Sequence, residues 1–224
     1  MFNKYLPDNT IFFFVYRYYV QQKRKHTNNM KKNTTIILIA VAAVIVLWFI
    51  SARNGFVKAE QAVNKQWGNV ETVYQRRADV IPQLVSTVKG AAKFEQETFT
   101  KVTEARNQAA GFKVDPNDLT EENVAKFQKL QDNLKNEIQR TISVCVEAYP
   151  QLTATEGFKT LQVQIEGTEN RISVEREKFN QEVEKYNNKV LRFPGNIVAG
   201  MFGFSQKGYF HASEGADVAP VIEF

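Results

Sequence analysis

Residues 156–194 read EGFKTLQVQIEGTENRISVEREKFNQEVEKYNNKVLRFP. Phe158, Ile165, Ile172, Phe179, Tyr186 and Phe193 recur in it at seven-residue intervals. A side chain placed every seventh residue returns to the same helix face, so the stretch reads as one long helix with an apolar seam. Leu161 and Thr168 extend a companion line, and Val183 and Val190 continue it after a shift. Such a seam requires helix partners in left-handed, bundle-like packing. Thr153-Ala154-Thr155-Glu156 reads as a capping box opening this helix, and Phe193-Pro194-Gly195 closes it.

Upstream lie the partners. Residues 121–149 put Phe127, Leu130, Leu134, Ile138, Ile142, Cys145 and Tyr149 on one helical face. They follow the turn-rich loop FKVDPNDLT (112–120) and stop at Pro150. Residues 82–110 carry a second stripe, Leu84, Val85, Val88, Ala91, Ala92, Phe99, Val102, Ala105 and Ala109, with Gly111 as its stop. Residues 56–79 carry a third, Phe56, Glu60, Val63, Trp67, Val70, Tyr74, Arg77 and on to Ile81. Pro82 pushes the residue before it out of the α region, which gives either a reversing turn or a kink. A turn makes four helices; a kink makes three, the first very long. The economical fold is all-α, an antiparallel, up-and-down four-helix bundle in which each stripe finds a partner.

Before the bundle, residues 33–52 (NTTIILIAVAAVIVLWFISA) contain no charge. As a helix they cover roughly 30 Å, the thickness of a bilayer's hydrocarbon. They are apolar all round, unlike a core helix with one stripe. The candidate cleavage site, Ile50-Ser51-Ala52, has a bulky Ile at its outer small position, so the segment reads as an uncleaved single-pass anchor rather than a signal peptide. Arg17, Lys23, Arg24, Lys25, Lys31 and Lys32 precede the span, whereas Arg53, Lys58 and Lys65 follow it diluted by Glu60. The positive-inside rule therefore predicts a cytoplasmic head and an extracytoplasmic body. Met30-Lys31-Lys32 is itself a complete anchor start, and residues 1–29 are aromatic-rich without periodicity, so Met30 is expected to be the natural start. The expected organisation is a basic head (1–32), a span (33–52), a helical bundle (53–194) and an apolar tail (195–224).

The chain holds 29 Lys and Arg against 24 Asp and Glu. Residues 1–53 contain eight of the former and one of the latter, leaving 21 and 23 in the body, a net charge of −2. The basic pI of about 9.2 thus belongs to the topogenic head, and no nucleic acid is expected as partner. The lone Cys145 lies on an apolar stripe and reads as a small core residue. His26 and His211 are far apart in sequence and no Cys-x-x-Cys or Glu-x-x-His spacing occurs, so no metal, cofactor or catalytic residue is assigned and no small-molecule substrate is expected. Arg76, Arg77, Arg106, Glu169 and Arg171 are the candidate polar residues. They make either solvated faces or a buried polar network that fixes helix register. Met201, Phe202, Phe204, Tyr209 and Phe210 in the tail are candidate contact residues, for a partner or for the bundle's own flank.

Taken together, Trp67, the run YQRRADVIPQLV (74–85), VKG (88–90), VTEAR (102–106), EAYP (147–150), TENRI (168–172), Tyr186-Asn187, Phe193-Pro194 and FGF (202–204) resemble the LemA family. The resemblance runs from about residue 30 into the tail. It implies a bacterial membrane-anchored helical bundle and brings no catalytic residues and no agreed molecular role. The expected function is a non-enzymatic envelope protein in the cytoplasmic membrane, which binds an envelope protein or self-associates. The rival readings are a lipid- or membrane-remodelling bundle and an enzyme with a Glu/Arg site.

Overall fold

A computed structural model of the chain describes residues 9–89 and 96–212. Six helices follow in order: α1 (Asn9–Lys89), α2 (Gln96–Gly111), α3 (Glu121–Ala148), α4 (Pro150–Thr153), α5 (Glu156–Leu191) and α6 (Gly195–Phe202). Among the described residues there is no strand. The chain forms two compact units, Met1–Ala52 and Arg53–Phe224.

In the first unit, α1 reaches back to Asn9, so the head that showed no periodicity is helical from that residue. The described residues contain one helix long and apolar enough to cross a membrane, and its most apolar window is wholly unburied. Trp48 packs edge-on against Phe49 there, with ring centroids 5.1 Å apart.

In the second unit the long helices alternate in direction. One core cluster joins Val63, Trp67 and Tyr74 of α1 to Val124 and Phe127 of α3 and to Phe179, Val183 and Tyr186 of α5. The other joins Ile81, Leu84 and Val88 of α1 to Val102, Ala105 and Ala109 of α2, Leu134, Ile138 and Cys145 of α3, and Phe158 and Leu161 of α5. Hence α1 and α3 run from the first cluster to the second, while α5 runs back. Chain order makes α2 run back as well, because it leads into Phe112 and Val114 at the first cluster. This is an antiparallel, up-and-down bundle. The seam of α5 is buried at Phe158, Ile172, Phe179 and Tyr186, and Ile165 is half-buried. Phe193 leaves it at 80% exposure, since α5 ends at Leu191.

Pro82 neither turns nor ends its helix: α1 continues through it to Lys89. The segment read as one helix over 82–110 is therefore divided between α1 and α2, and its Ala91 and Ala92 lie outside the described residues. The cap of α5 also differs from the expected one. Thr155 is the N-cap, its hydroxyl accepting from Phe158 N at 3.4 Å and donating to Leu152 O at 2.6 Å. Thr153 instead closes the single turn α4 that Pro150 starts. Thr120 caps α3 by accepting from Asn123 N, with Glu121 and Glu122 in the first turn where the helix dipole favours them.

Candidate functional site

Helix α2, with 16 residues, is about 24 Å long, against about 54 Å for the 36 residues of α5. It can flank only the second cluster. Over the first cluster its place is taken by the loop residues Val114 and Leu119 and by the C-terminal segment 203–212, whose Phe210 is 5% exposed. The Phe210 ring stacks on Trp67 at 5.9 Å and 10°, and meets Phe179 edge-on at 5.4 Å. Trp67 also meets Phe127 and Phe179 edge-on at 5.0 and 5.4 Å. Edge-to-face pairs of this kind add about 0.5–1.5 kcal/mol beyond area burial.

Non-helical backbone packed into a helical bundle needs partners for its N–H and C=O groups. Side-chain amides supply them. Asn187 accepts from Lys207 N and donates to Lys207 O, both at 2.9 Å. Asn180 does the same for Phe210 at 2.9 and 2.8 Å. Gln128 does so for His211 at 3.1 and 2.9 Å. Gly208 N donates to Leu119 O at 2.8 Å. A Cβ on Gly208 would lie 2.7 Å from Glu121 Cα, so only glycine fits this approach. Lys207 is buried, its Nζ 3.0 Å from Glu60 Oε1 and 3.3 Å from Asn117 O. His211 Nε2 lies 2.5 Å from Glu121 Oε1. The segment is a strap that completes the bundle.

The polar residues singled out from sequence divide. Arg77, 4% exposed in its side chain, holds Glu169 with Nε at 2.7 Å from Oε1 and Nη2 at 3.0 Å from Oε2. Its Nη1 donates to Gln131 O at 2.7 Å, and its guanidinium lies 5.0 Å from the Tyr74 ring centroid. One side chain thus ties α1 to α3 and α5. Arg106 does not join this pair; its Nε donates to Ala78 O at 3.1 Å. That carbonyl is four residues before Pro82, whose missing N–H would otherwise have bonded it. Arg106 of α2 therefore replaces the absent helical donor, which is why α1 passes through Pro82. Arg76 and Arg171 are exposed. Sequence reading missed Gln131, Lys207 and the amides that hold the strap. Asn180 and Asn187 carried a signal: each follows a seam residue, Phe179 or Tyr186, at the same seven-residue spacing.

The tail candidates divide as well. Phe210 is core, Tyr209 is half-buried, and Phe204 stacks on Phe56 with centroids 5.1 Å apart at 16°. Met201 and Phe202 of α6 are exposed, and Gly203, at φ 76°, ends that helix in the left-handed conformation glycine favours. Residues 213–224 of the tail lie outside the described residues.

Among the described residues no group of three or more His, Cys, Asp or Glu could hold a metal ion. Burial pushes the Cys145 thiol up to about 11, so it is protonated and inert near neutral pH. Burial, reinforced by the Glu60 carboxylate, pushes the Tyr186 phenol up to about 12. Tyr74 is raised by burial against the lowering pull of Arg176 and Arg77. Glu175 is held below its ordinary value by hydrogen bonds from Lys178 and then Gln66, whose Nε2 is 2.7 Å from its carboxylate.

The chain is similar to magnetosome protein MamQ of Magnetospirillum gryphiswaldense, 26% identical over 187 residues, covering 75% of this chain and 68% of that one. Magnetosome protein MamQ 1 of Paramagnetospirillum magneticum matches to the same extent. Protein LemA of Metamycoplasma hominis is 22% identical over 166 residues, covering 74% of this chain and 72% of the relative. The LemA family model matches residues 66–224, most of the bundle together with the whole strap, and the chain belongs to the LemA family.

Proposed function

We propose that the chain is a single-pass protein of the bacterial cytoplasmic membrane, with its N-terminus cytoplasmic and its bundle outside, acting as a non-enzymatic scaffold for an envelope protein. The observation that carries this reading is the use made of the interior cations. Arg77 clamps α1, α3 and α5 together, and Lys207 ties the strap to α1 and the 112–120 loop. Both charges hold segments in register, which gives a body of fixed shape and leaves its outer faces for partners. On α5 that outer face presents Val163 and Val174, 68% and 47% exposed, with Gly167 between them in open space.

Photocrosslinking residues at positions 163 and 174 of the full chain, in bacterial membranes, test the scaffold role. A discrete adduct with another envelope protein, or one of twice the chain's mass, is expected. Adduct-free chain at both positions would overturn it. Labelling of Val163→Cys in a Cys145→Ala background by a membrane-impermeant maleimide tests the orientation. Labelling before the cytoplasmic membrane is permeabilised is expected, and labelling only afterwards would reverse the topology.

A further inference from the structure

Among the described residues of the second unit, eight large apolar side chains are exposed. Three of them, Val146, Val163 and Val174, stand apart. The other five, Leu191, Phe193, Ile197, Met201 and Phe202, fall within residues 191–202. Ile197 and Met201 stand four residues apart on α6, which places them on one face of that helix, and Phe193 lies two residues before its start. Val198 and Ala199 of α6 are buried on the body. The helix thus has one face docked and one apolar face open. A contiguous apolar patch of this kind marks a contact site.

The place of this patch identifies its occupant. Arg53 lies over the Phe202 ring, 5.5 Å from its centroid. Phe204 stacks on Phe56, and Lys189 Nζ donates to Gly55 O at 3.2 Å. The end of α5 and α6 are therefore pinned to residues 53–56, and Arg53 directly follows Ala52, the last residue of the uncharged run. Residues 53–59 and 187–204 contain four cations, Arg53, Lys58, Lys189 and Arg192, and no carboxylate side chain. An apolar face rimmed by cations, one residue from where a span leaves the hydrocarbon, has the chemistry of an interfacial helix on anionic lipid.

We propose that α6 is a second membrane contact, lying in the headgroup layer of the leaflet that the span leaves. Its Phe193, Ile197 and Met201 side chains enter the acyl boundary, and the flanking cations meet lipid phosphates. The span tethers the bundle; α6 seats its base on the bilayer. The proposal rests on the anchor in the preceding reading and not on the partner.

The test uses the full chain in a Cys145→Ala background, reconstituted in phosphatidylcholine–phosphatidylglycerol vesicles. An environment-sensitive fluorophore is placed at Met201→Cys or Phe193→Cys, positions exposed enough to leave the core intact. Val44→Cys serves as the span reference and Val163→Cys as the solvent reference. The 201 and 193 labels are expected to be quenched by lipid-borne nitroxide, as the 44 label is, and to be quenched by iodide several-fold less than the 163 label. Iodide quenching equal to the 163 label, with the 44 label still lipid-quenched, overturns the lipid contact and leaves the anchor standing. Shielding from both quenchers assigns the patch to a second copy of the chain and also overturns it. Loss of lipid quenching at position 44 removes the anchor, and the proposal with it.

Discussion

Arg106 and Pro82 are far apart in sequence and form one device. Proline removes a donor from α1, and the guanidinium of α2 returns one to the Ala78 carbonyl. Arg106→Ala should therefore cost about 1–2 kcal/mol in urea unfolding, the cost of an unpaired, partly buried carbonyl. With Pro82→Ala the helix regains its own N–H, and the cost of losing Arg106 should fall by more than half. Equal costs in the two backgrounds would sink this account. Arg77 and Glu169 form a second device. Glu169 is 24% exposed, so water relieves a stranded carboxylate in part, and Arg77→Ala should cost about 3 kcal/mol, the low end for a broken buried pair. Adding Glu169→Ala should cost much less than its single effect, and Arg77→Lys should not restore stability, because lysine lacks the planar fork. Additive losses in this cycle would show the two residues acting independently.

The strap sets the balance of the bundle at the scale of elements. Because α2 stops short, Phe210 fills the side of the first cluster that a longer helix would have filled. Phe210→Ala should cost about 3–5 kcal/mol in thermal or urea unfolding. Gly208→Ala should release the strap, since the new Cβ meets Glu121 backbone. Limited proteolysis would then cut within 204–212 while α5 stays protected; an unchanged cleavage pattern would show that the strap tolerates the clash. The long helices were legible because their seams repeat: the seven-residue spacing from Phe158 to Tyr186 and the stripe from Val63 to Ile81 are buried or half-buried, and only Phe193, beyond the end of α5, falls outside the seam read for it. The α1 boundary was not, because proline's local penalty is visible in sequence and Arg106's compensation is tertiary. The strap was illegible for a related reason. Its backbone partners are side chains on other helices, so 203–212 has no periodicity of its own, and α6 is too short to show one. The Arg77–Glu169 pair was half legible, both residues being among the candidates, while the roles of Arg76 and Arg171 at the surface could not be separated from theirs by spacing.

Over the whole molecule, the body's stability at high pH follows from interior groups that are neutral when protonated, Tyr74, Cys145 and Tyr186. Cys145 sits in the second cluster and Tyr186 in the first, so each reports one half of the bundle. Burial raises the thiol to about 11 from its ordinary 9.0. Burial, with Glu60 adding, raises the phenol to about 12 from 10.0. The folded chain then holds these protons where the unfolded chain has released them, so folding stability must fall as pH rises. Their stabilising effect is intact below pH 9, declines from 9 to 11 through Cys145, and declines from 10 to 12 through Tyr186. The Tyr186 hydroxyl is buried with no hydrogen-bond partner among the described groups, so Tyr186→Phe should leave stability at neutral pH nearly unchanged. The same variant should flatten the fall of the thermal midpoint between pH 10 and 12, and leave the fall between 9 and 10 in place. Comparing the two chains cancels the alkaline titration of the lysines, which both share. Parallel profiles across pH 9–12 would mean that Tyr186 ionises as readily folded as unfolded, and that the first cluster, strap included, admits water where its packing closes it.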